Sequence, residues 1–316
     1  EDLDPNTVAQ LAAGVVPTEP DSLTGRPGFS VAGMSELLNQ VTLDGLNLSG
    51  SLAVPEEGVR RTQVVTSTFD VSRGGFAGGL VSLTTARGTN RPGGSLSYRH
   101  DDDALQLRSG ATTNAYTRQT LGGSFGGPLV RDRLFFNGSF QLGRNVQHRF
   151  ALAADDAAAA LRSGVHRDSI GRFLALLEQL HGIPVVGQTG AYRQGSDDVR
   201  FQGRADWTPV QRRGQSHTLS ARFNLSANVQ DSARIRELDL LQRGGVAERS
   251  GRSVALSLTS RMRTNWTNEL RLSWTESRTE ARPFLLLAEG NVRVTSAFED
   301  GTRETRTLSF GGNRTM

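Results

Sequence analysis

The sequence contains no cysteine and no lysine, and each absence excludes a class of site. Without cysteine, the 316 residues form neither a disulfide nor a thiolate metal site. Without lysine, the chain cannot form the phosphate-binding loop G-x-x-x-x-G-K-[ST], whose lysine contacts the nucleotide phosphates. The 36 basic residues are all arginine and are scattered, without the basic stripe of a nucleic-acid site. We therefore expect no nucleic-acid partner.

Long apolar segments are also absent. No run of 18 apolar residues occurs, so the sequence predicts no transmembrane helix. Only 36% of the residues are hydrophobic, while the 36 glycines exceed the usual share of about 7% and favour strands, bends and turns over helices. If the chain enters a membrane, a β-barrel is the structure left to it.

Motifs for catalysis and metal binding are missing too. The five histidines show no H-E-x-x-H spacing, and no G-x-S-x-G nucleophile elbow occurs. The run HDDD at 100–103 offers carboxylates to a cation, but it lacks the spacing of an EF-hand loop and fits a solvated turn better. We therefore predict no enzyme, no catalytic residue, no metal site and no cofactor.

The first 90 residues predict a small α+β domain. The segment DPNTVAQLAAG at 4–14 has an aspartate cap, a proline at the first helical position and a glycine stop, which predicts a short helix. Asp44 and Gly45 form a hairpin turn signal after a short apolar strand. The predicted strands are 29–32, 40–43, 62–67 and 80–85.

A glycine-rich stretch, VSRGGFAGGLVSLTTARGTNRPGG at 71–94, interrupts this domain. The positions of Gly74, Gly75, Gly78 and Gly79 do not match the dinucleotide fingerprint G-x-G-x-x-G, and the alternating LVSLTT that follows predicts a strand rather than a helix. The stretch is then either a run of loose turns or a strand that bends sharply and packs close to another backbone.

From residue 91 onward the pattern is that of long strands with alternating faces. One face is apolar, as at Phe201, Trp207 and Leu256, and the other is polar or charged. The polar face carries four arginines: Arg200, Arg204, Arg222 and Arg271.

Short and long connections alternate between these strands, as in transmembrane barrels with short periplasmic turns and long outer loops. Trp207 and Trp266 lie at the same predicted end, where an aromatic girdle would place them. A soluble β-sandwich has the same alternation, with its apolar faces meeting in a core, and remains the alternative. The predicted strands are 119–129, 134–146, 199–208, 216–229, 252–263 and 268–280.

Three segments carry a family resemblance: VTLDGLNLSGS, RRTQVVTSTFDVSRGGFAGGLVSLTTARGTNRPGGSLSY and RQTLGGSFGGPLVRDRLFFNGSFQ. They resemble the plug and first barrel strands of TonB-dependent outer-membrane receptors, especially the Oar-like subgroup, and cover most of residues 1–142. The resemblance implies a mainly β fold, with a small α+β plug domain at 1–90 and the N-terminal part of a transmembrane antiparallel β-barrel at 91–316.

We count about eight barrel strands, whereas plugged receptor barrels have about 22. Eight strands close only into a narrow barrel with no space for a plug. We therefore expect the sequence to be an incomplete barrel, forming an open, curved sheet. The TonB box and the N-terminal sandwich domain typical of the subgroup are not in this sequence.

The resemblance also implies a function. It predicts a receptor in the bacterial outer membrane that binds a solute on its outer side and imports it when TonB moves the plug. The implied partners are TonB, through a segment not in this chain, outer-membrane lipid and an unknown solute. The glycines at 74, 75, 78 and 79 would close the plug inside the lumen. The alternative is a β-rich surface adhesion or carbohydrate-binding protein built on the soluble sandwich.

The four arginines have two interpretations in a barrel. They could give the lumen a positive field that concentrates anionic solutes. They could instead form ion pairs with the plug and with wall carboxylates such as Asp206 and Glu269, which we favour.

The longest connection contains the amphipathic pattern DSIGRFLALLEQLHGIP, which predicts a helix capped by Asp168 and ended by Gly182 and Pro184. We expect this helix to cover the mouth of the barrel. Its apolar stripe comprises Ile170, Phe173, Leu174, Leu177 and Leu180.

Overall fold

The computed structural model describes most of the chain, with gaps at both ends and in several connections. The described residues are 14–18, 28–31, 33–35, 38–48, 52–66, 78–105, 115–152, 160–161, 163–183, 185–209, 215–262, 266–298 and 301–312. The predicted helix at 4–14, apart from its last residue, and Gly74 and Gly75 lie outside the described residues.

One antiparallel sheet of seven strands dominates the structure, and we call it the wall sheet. Each strand pairs with the next one in the chain, so that the first and the last of the seven are the two edges. The strands are β7 (Gly93–Asp102), β8 (Tyr116–Val130), β9 (Leu134–Ala151), β10 (Gly190–Trp207), β11 (Gln215–Ala233), β12 (Gly245–Met262) and β13 (Trp266–Pro283). The sheet is open among the described residues, as the strand count predicts.

The connections between the strands confirm the prediction that short and long connections alternate. Residues 131–133, 208–214 and 263–265 join the strands at one end, which we call the short-turn end. At the opposite, long-loop end the strands are joined by 103–115, 152–189 and 234–244. The strands also extend several residues further toward the long-loop end than predicted, because alternation fades there while the ladder of backbone hydrogen bonds continues.

Burial on the two faces of the wall sheet is the reverse of that in a soluble protein. Gln202 and Asn224 on the polar face are 0% exposed, whereas Trp207 and Leu272 on the apolar face are 49% and 59% exposed. A sandwich would bury its apolar faces and expose its polar ones. The sandwich alternative is therefore wrong, and the exposed apolar face is suited to contact with hydrocarbon.

Aromatic side chains lie at one end of this apolar face, and charged side chains lie toward the other. Trp207 and Trp266 are exposed at the short-turn end, as predicted. Toward the long-loop end, Arg252 pairs with Glu276 at 2.7 Å and lies over the Trp274 ring at 5.6 Å. On β12 and β13 the outward apolar surface therefore gives way to charged residues toward the long-loop end.

A second sheet of four strands packs on the polar face of the wall sheet, and we call it the plug sheet. Its order is β4-β3-β6-β5, with β3 parallel to β6 and the other pairs antiparallel. Its core contains Leu43, Val81 and Leu83, together with Phe29 and Val31 from a neighbouring two-stranded sheet. The strands of the plug sheet are β3 (Gln40–Leu43), β4 (Leu46–Asn47), β5 (Val59–Val65) and β6 (Leu80–Thr85). The neighbouring two-stranded sheet consists of β1 (Val15–Thr18) and β2 (Gly28–Val31).

The long-loop end carries a third hydrophobic cluster, which we call the loop unit. It contains the helix α1 (Arg167–His181), the hairpin β14 (Gly290–Ala297) and β15 (Arg303–Phe310), and parts of the connections 152–189 and 234–244. Phe173 of the helix packs against Phe310 with ring centroids 6.1 Å apart. The described strands after residue 283 thus form a separate two-stranded sheet, so the wall sheet has seven strands rather than about eight.

The helix α1 differs from its prediction at two residues. The cap is His166, whose Nδ1 accepts a hydrogen bond from the Asp168 backbone N–H at 3.3 Å, because the helix begins at Arg167. Leu180 is 69% exposed, since the loop unit covers only the part of the stripe that includes Ile170 and Leu177. No helix among the described residues is long and apolar enough to span a membrane.

We expect an arginine on the apolar face of β12 to hinder folding into phospholipid vesicles far more than one on the polar face. Leu256→Arg places a charge in hydrocarbon and should raise the folding free energy by about 2 to 4 kcal/mol. Ser257→Arg is the matched control, because Ser257 lines a cavity on the plug side. Equal effects of the two substitutions on vesicle folding of the full-length protein would contradict the assignment of the faces.

Candidate functional site

The candidate site is the contact between the plug and the polar face of the wall sheet. The plug segment 52–58 lies along that face. The Glu56 carboxylate pairs with Arg99 of β7 at 2.6 Å, and its backbone N–H donates to Gln141 Oε1 of β9 at 3.0 Å. Glu57 accepts a hydrogen bond from Ser97 at 2.6 Å. This contact therefore consists largely of hydrogen bonds and ion pairs.

A tight turn in the plug supplies the central group of the site. Asp44 and Gly45 both have positive φ, 50° and 76°, and connect β3 to β4 as a two-residue type I′ hairpin. A Cβ on Gly45 would lie only 2.6 Å from Arg271 Nη1 of β13. The backbone conformation therefore favours glycine there, and a larger residue would also have to displace the Arg271 guanidinium.

The Asp44 carboxylate joins the plug to the wall. Within the plug, Oδ1 accepts from the Thr85 backbone N–H at 3.0 Å and Oδ2 from the Thr85 hydroxyl at 2.7 Å. From the wall, Arg204 and Arg222 donate to Oδ2 at 2.9 Å and 2.5 Å. Arg222 also donates to the Leu43 carbonyl at 3.1 Å. One carboxylate thus connects β3, β6, β10 and β11.

Arg204 is held in place by its own strand. Its Nε and Nη2 donate to the two carboxylate oxygens of Asp206, each at 2.8 Å, in a bidentate pair. Ser220 on β11 donates to Asp206 at 2.5 Å. Arg204 and Asp206 are two residues apart, so strand alternation puts both on the polar face. The wall therefore presents a fixed guanidinium to the plug.

The four arginines predicted on the polar face each have a carboxylate partner. Arg200 pairs with Asp198 at 2.6 Å. Arg271 pairs with Glu269 at 2.7 Å, and its Nη1 donates to the Gly45 carbonyl at 3.4 Å. With Arg204 and Arg222, these four cations meet four carboxylates, so this set of groups carries no excess positive charge. The four carboxylates are Asp44, Asp198, Asp206 and Glu269.

The surroundings of Asp44 also change its acidity. Burial raises the pKa of this carboxyl, but hydrogen bonds from Thr85 and the charges of Arg204 and Arg222 outweigh burial and hold the pKa below its usual value. Asp44 is therefore an anion whenever the two arginines face it at neutral pH.

Gly78 and Gly79 lie inside the plug, next to its own residues. The Gly79 N–H donates to Asn39 Oδ1 at 2.7 Å, and a Cβ on Gly79 would press against the Val31 side chain. The Gly78 N–H donates to the Leu38 carbonyl at 3.1 Å. Their neighbours are thus plug residues, and any role of the two glycines against the wall stays a prediction.

The segment that joins β6 of the plug to β7 of the wall is hydrogen-bonded to the wall at the short-turn end. Asn90 donates to the Asp132 carboxylate at 2.5 Å and accepts from the Asp132 backbone N–H at 2.9 Å. Asp132 lies in the first short turn and has a φ of 61°. This reciprocal pair fixes where the chain leaves the plug and enters β7.

A cavity of about 920 Å³ lies between the plug sheet and strands β10 to β13. Asp44 and Arg222 border it from opposite sides, and Ser82, Thr218 and Arg261 also line it. Most of the residues that line it are polar or charged, so the plug and this part of the wall enclose a polar space rather than a packed apolar core.

The sequence left several of these contacts unpredicted. Glu56 and Glu57 follow a proline in a short turn with no motif to mark them, and Asp44 was predicted only as a turn residue. The single available signal was the set of inward arginines, since buried cations need carboxylate partners. That signal does not identify which carboxylates supply the partners.

Comparisons with known proteins extend this description. No protein-family model matches the chain, and no curated protein sequence matches it. A variant of the ferric enterobactin receptor of Pseudomonas aeruginosa, solved with enterobactin, superposes with a TM-score of 0.57 at 13% identity, covering 96% of this chain and 42% of that one. For the outer membrane transporter YddB of Escherichia coli the TM-score is 0.51 at 13% identity, covering 97% and 40%.

The chain has the fold of TonB-dependent receptor barrels. It spans less than half the length of the two proteins compared, and at this identity the likeness concerns the fold alone. Within the TonB-dependent receptor fold, the plug sheet and the wall sheet described here are the plug and a part of the barrel wall. Asp44, Arg204 and Arg222 therefore lie at the boundary between plug and barrel.

We predict that Asp44→Asn weakens the attachment of the plug. The substitution leaves the buried Arg222 without a carboxylate, and breaking a buried ion pair costs about 3 to 5 kcal/mol. The Asp44 side chain is 21% exposed, so we expect the low end, about 3 kcal/mol. Urea titration of the full-length protein in detergent measures this loss of unfolding free energy. Glu276→Gln, which breaks an exposed pair, is the control and should cost less than about 1 kcal/mol.

The lowered pKa of Asp44 predicts acid sensitivity of the same contact. The carboxyl of an aspartate in an unfolded chain has a pKa of about 3.9. Because the pKa of Asp44 is lower in the folded protein, the stability that its carboxylate contributes is complete above that pH. It is lost as the pH falls through the pKa of the folded state. The melting temperature of the full-length protein should therefore fall more steeply below pH 4 than that of Asp44→Asn. Parallel pH profiles for the two proteins would contradict this.

Proposed function

We propose that the protein is an outer-membrane receptor that binds a solute on its outer side and imports it by movement of the plug. The observation that carries the proposal is the reversed burial of the wall sheet, with an exposed apolar face outside and a polar face that holds a folded plug. An outward apolar band and a polar interior are the arrangement of a barrel in lipid. In this proposal the long-loop end faces the exterior of a bacterial cell and the short-turn end the periplasm.

The chemistry of the plug contact supports a plug that can be moved. The contact is made of groups such as Asp44, Glu56, Arg99 and Arg222, which water can solvate when the two surfaces separate. An apolar contact of the same size would instead expose hydrocarbon to water. The contact therefore holds the plug in a defined position without making its displacement prohibitive.

TonB is the proposed source of the force on the plug, coupled through a segment that is not in this chain. The proposal requires outer-membrane lipid around the apolar face. It requires no cofactor, metal or covalent chemistry, and it involves no nucleic acid. The Oar-like subgroup, and the division into a plug domain at 1–90 and a barrel portion at 91–316, remain predictions.

The pairing of the four arginines on the polar face bears on the expected charge of the solute. Since Arg200, Arg204, Arg222 and Arg271 all have carboxylate partners, they supply no net field to concentrate anions. These four arginines are therefore not the basis for attracting an anionic solute. The adhesion alternative was built on a sandwich, and no observation now favours it.

A disulfide between plug and wall tests the proposal, and residues 1–316 contain no cysteine that would compete with it. A Cβ on Gly58 would touch the Ser139 hydroxyl of β9, so Gly58→Cys with Ser139→Cys should form a bond that holds the plug in place. In cells making the full-length protein, oxidation should abolish import and a reductant should restore it. Depletion from the medium of ferric enterobactin, short neutral peptides and maltodextrins measures import.

The matched control is Ser139→Cys with Gln202→Cys, because these two residues are register partners on β9 and β10. Their disulfide links the wall to itself and should leave import unchanged. Import by the oxidised Gly58–Ser139 protein at the rate of the reduced protein would refute plug movement.

A further inference from the structure

A second, smaller cavity lies at the long-loop end, where the loop unit meets β10 and β11. It has a volume of about 360 Å³, near the lower end of the range for small-molecule sites. We call it the Gln242 pocket. Its walls include Gln188, Tyr192, Ile235, Leu241, Gln242 and Phe284.

Gln242 is the unusual member of this pocket. It is 5% exposed, yet neither its Nε2 nor its Oε1 has a hydrogen-bond partner among the described residues. The Oε1 of Gln188 is likewise buried without a partner in the described part of the chain. Buried amide groups are normally hydrogen-bonded, because leaving them unpaired costs about 1 to 3 kcal/mol each. Both residues line the same cavity, so a ligand in it lies next to these unpaired amides and can pair with Gln242 once the buried amide turns toward the cavity.

Backbone strain lies beside these amides. Ser232, which lines the pocket, has a φ of 51° and lies at an irregularity in the register between Gln230 and Ala233. Bulges and strained residues of this kind are frequent next to binding sites. The Ser232 carbonyl accepts a hydrogen bond from the Gln194 amide at 2.9 Å. The Tyr192 hydroxyl donates to the Ile235 carbonyl at 3.4 Å. The strand ends around the pocket are therefore fixed.

The lining also defines the chemistry of the ligand. Among the described residues that line the pocket, none has an acidic or basic side chain, so it suits a neutral ligand. The free amide of Gln242 offers one donor and one acceptor side by side, which is the complement of a peptide group. Ile235, Leu241 and Phe284 provide apolar walls next to it. A sugar would place hydroxyl groups against these apolar walls and leave them unpaired.

We propose that the Gln242 pocket binds a neutral peptide segment, with a peptide group on Gln242 and an aliphatic side chain against the apolar walls. This inference rests on the proposed function in one respect, since it takes the long-loop end as the side from which a solute arrives. The binding itself requires neither TonB nor movement of the plug. The pocket therefore defines a solute class for the receptor.

The test is binding of acetyl-leucyl-leucine amide to the full-length protein in detergent, measured by saturation-transfer NMR and calorimetry against empty micelles. Gln242→Leu removes both hydrogen bonds and should weaken binding roughly tenfold. The same substitution should keep or raise the melting temperature, because it removes an unpaired buried amide. A purely structural role for Gln242 would instead lower the melting temperature.

Asn39→Leu is the matched control, because the Asn39 amide lies inside the plug with both groups hydrogen-bonded: Nδ2 donates to the Phe29 carbonyl at 2.5 Å and Oδ1 accepts from the Gly79 N–H at 2.7 Å. It should lower the melting temperature and leave peptide binding unchanged. Absence of peptide binding, equal binding by Gln242→Leu, or tighter binding of maltotriose than of the peptide would each overturn the inference. Peptide binding that depends on Gln242, in a protein that fails the plug-locking test, would retain the inference and reject the proposed import.

Discussion

The structure depends on the pairing of one plug carboxylate with two wall arginines. Asp44 lies on a turn that only a few residue types can form, and Arg204 and Arg222 reach it from neighbouring strands at 2.9 Å and 2.5 Å. A cation buried on a sheet face needs an anion, and here the anion belongs to another part of the chain. The requirement to pair these charges therefore fixes where the plug lies against the wall.

The same requirement explains why the wall keeps a polar face. Gln202, Asn224 and Ser139 are buried, and they contact plug backbone or neighbouring strands rather than an apolar core. The outer face carries the apolar residues, which would normally form such a core. The sheet is thus stabilised by a polar interior and an apolar environment, and both the proposed membrane location and a movable plug follow from this reversal.

The loop unit shows a different principle, since it is organised like a small soluble protein. Leu152, Val165 and Leu308 are fully or almost fully buried there, and Leu240 is drawn in from the connection between β11 and β12. Three segments distant in sequence therefore share one core at the long-loop end. A unit packed around its own core can hold the shape of a pocket such as that of Gln242 better than loops without a core.

The sequence by itself determined the strands, the faces and the short turns. Alternation of residues such as Phe201 and Trp207 with Gln202 and Arg204 acts between neighbours in the chain, and the turn at Asp44 and Gly45 is a local conformational preference. The sequence could not decide whether the apolar face meets a second sheet or remains exposed, because both arrangements have the same period of two. It also gave the wrong cap for the helix, where the position of His166 depends on the local path of the chain.

Only the tertiary structure decided which charges pair and which polar groups remain unpaired. Asp44 and Arg222 are far apart in sequence, and no local rule selects one carboxylate among many for one guanidinium. In the same way, Gln242 looks like any surface glutamine in the sequence, and only the folded structure shows that it is 5% exposed and lines a pocket with Ile235, Leu241 and Phe284. Pairing and burial are properties of distances in space, and the local patterns in the sequence do not encode those distances.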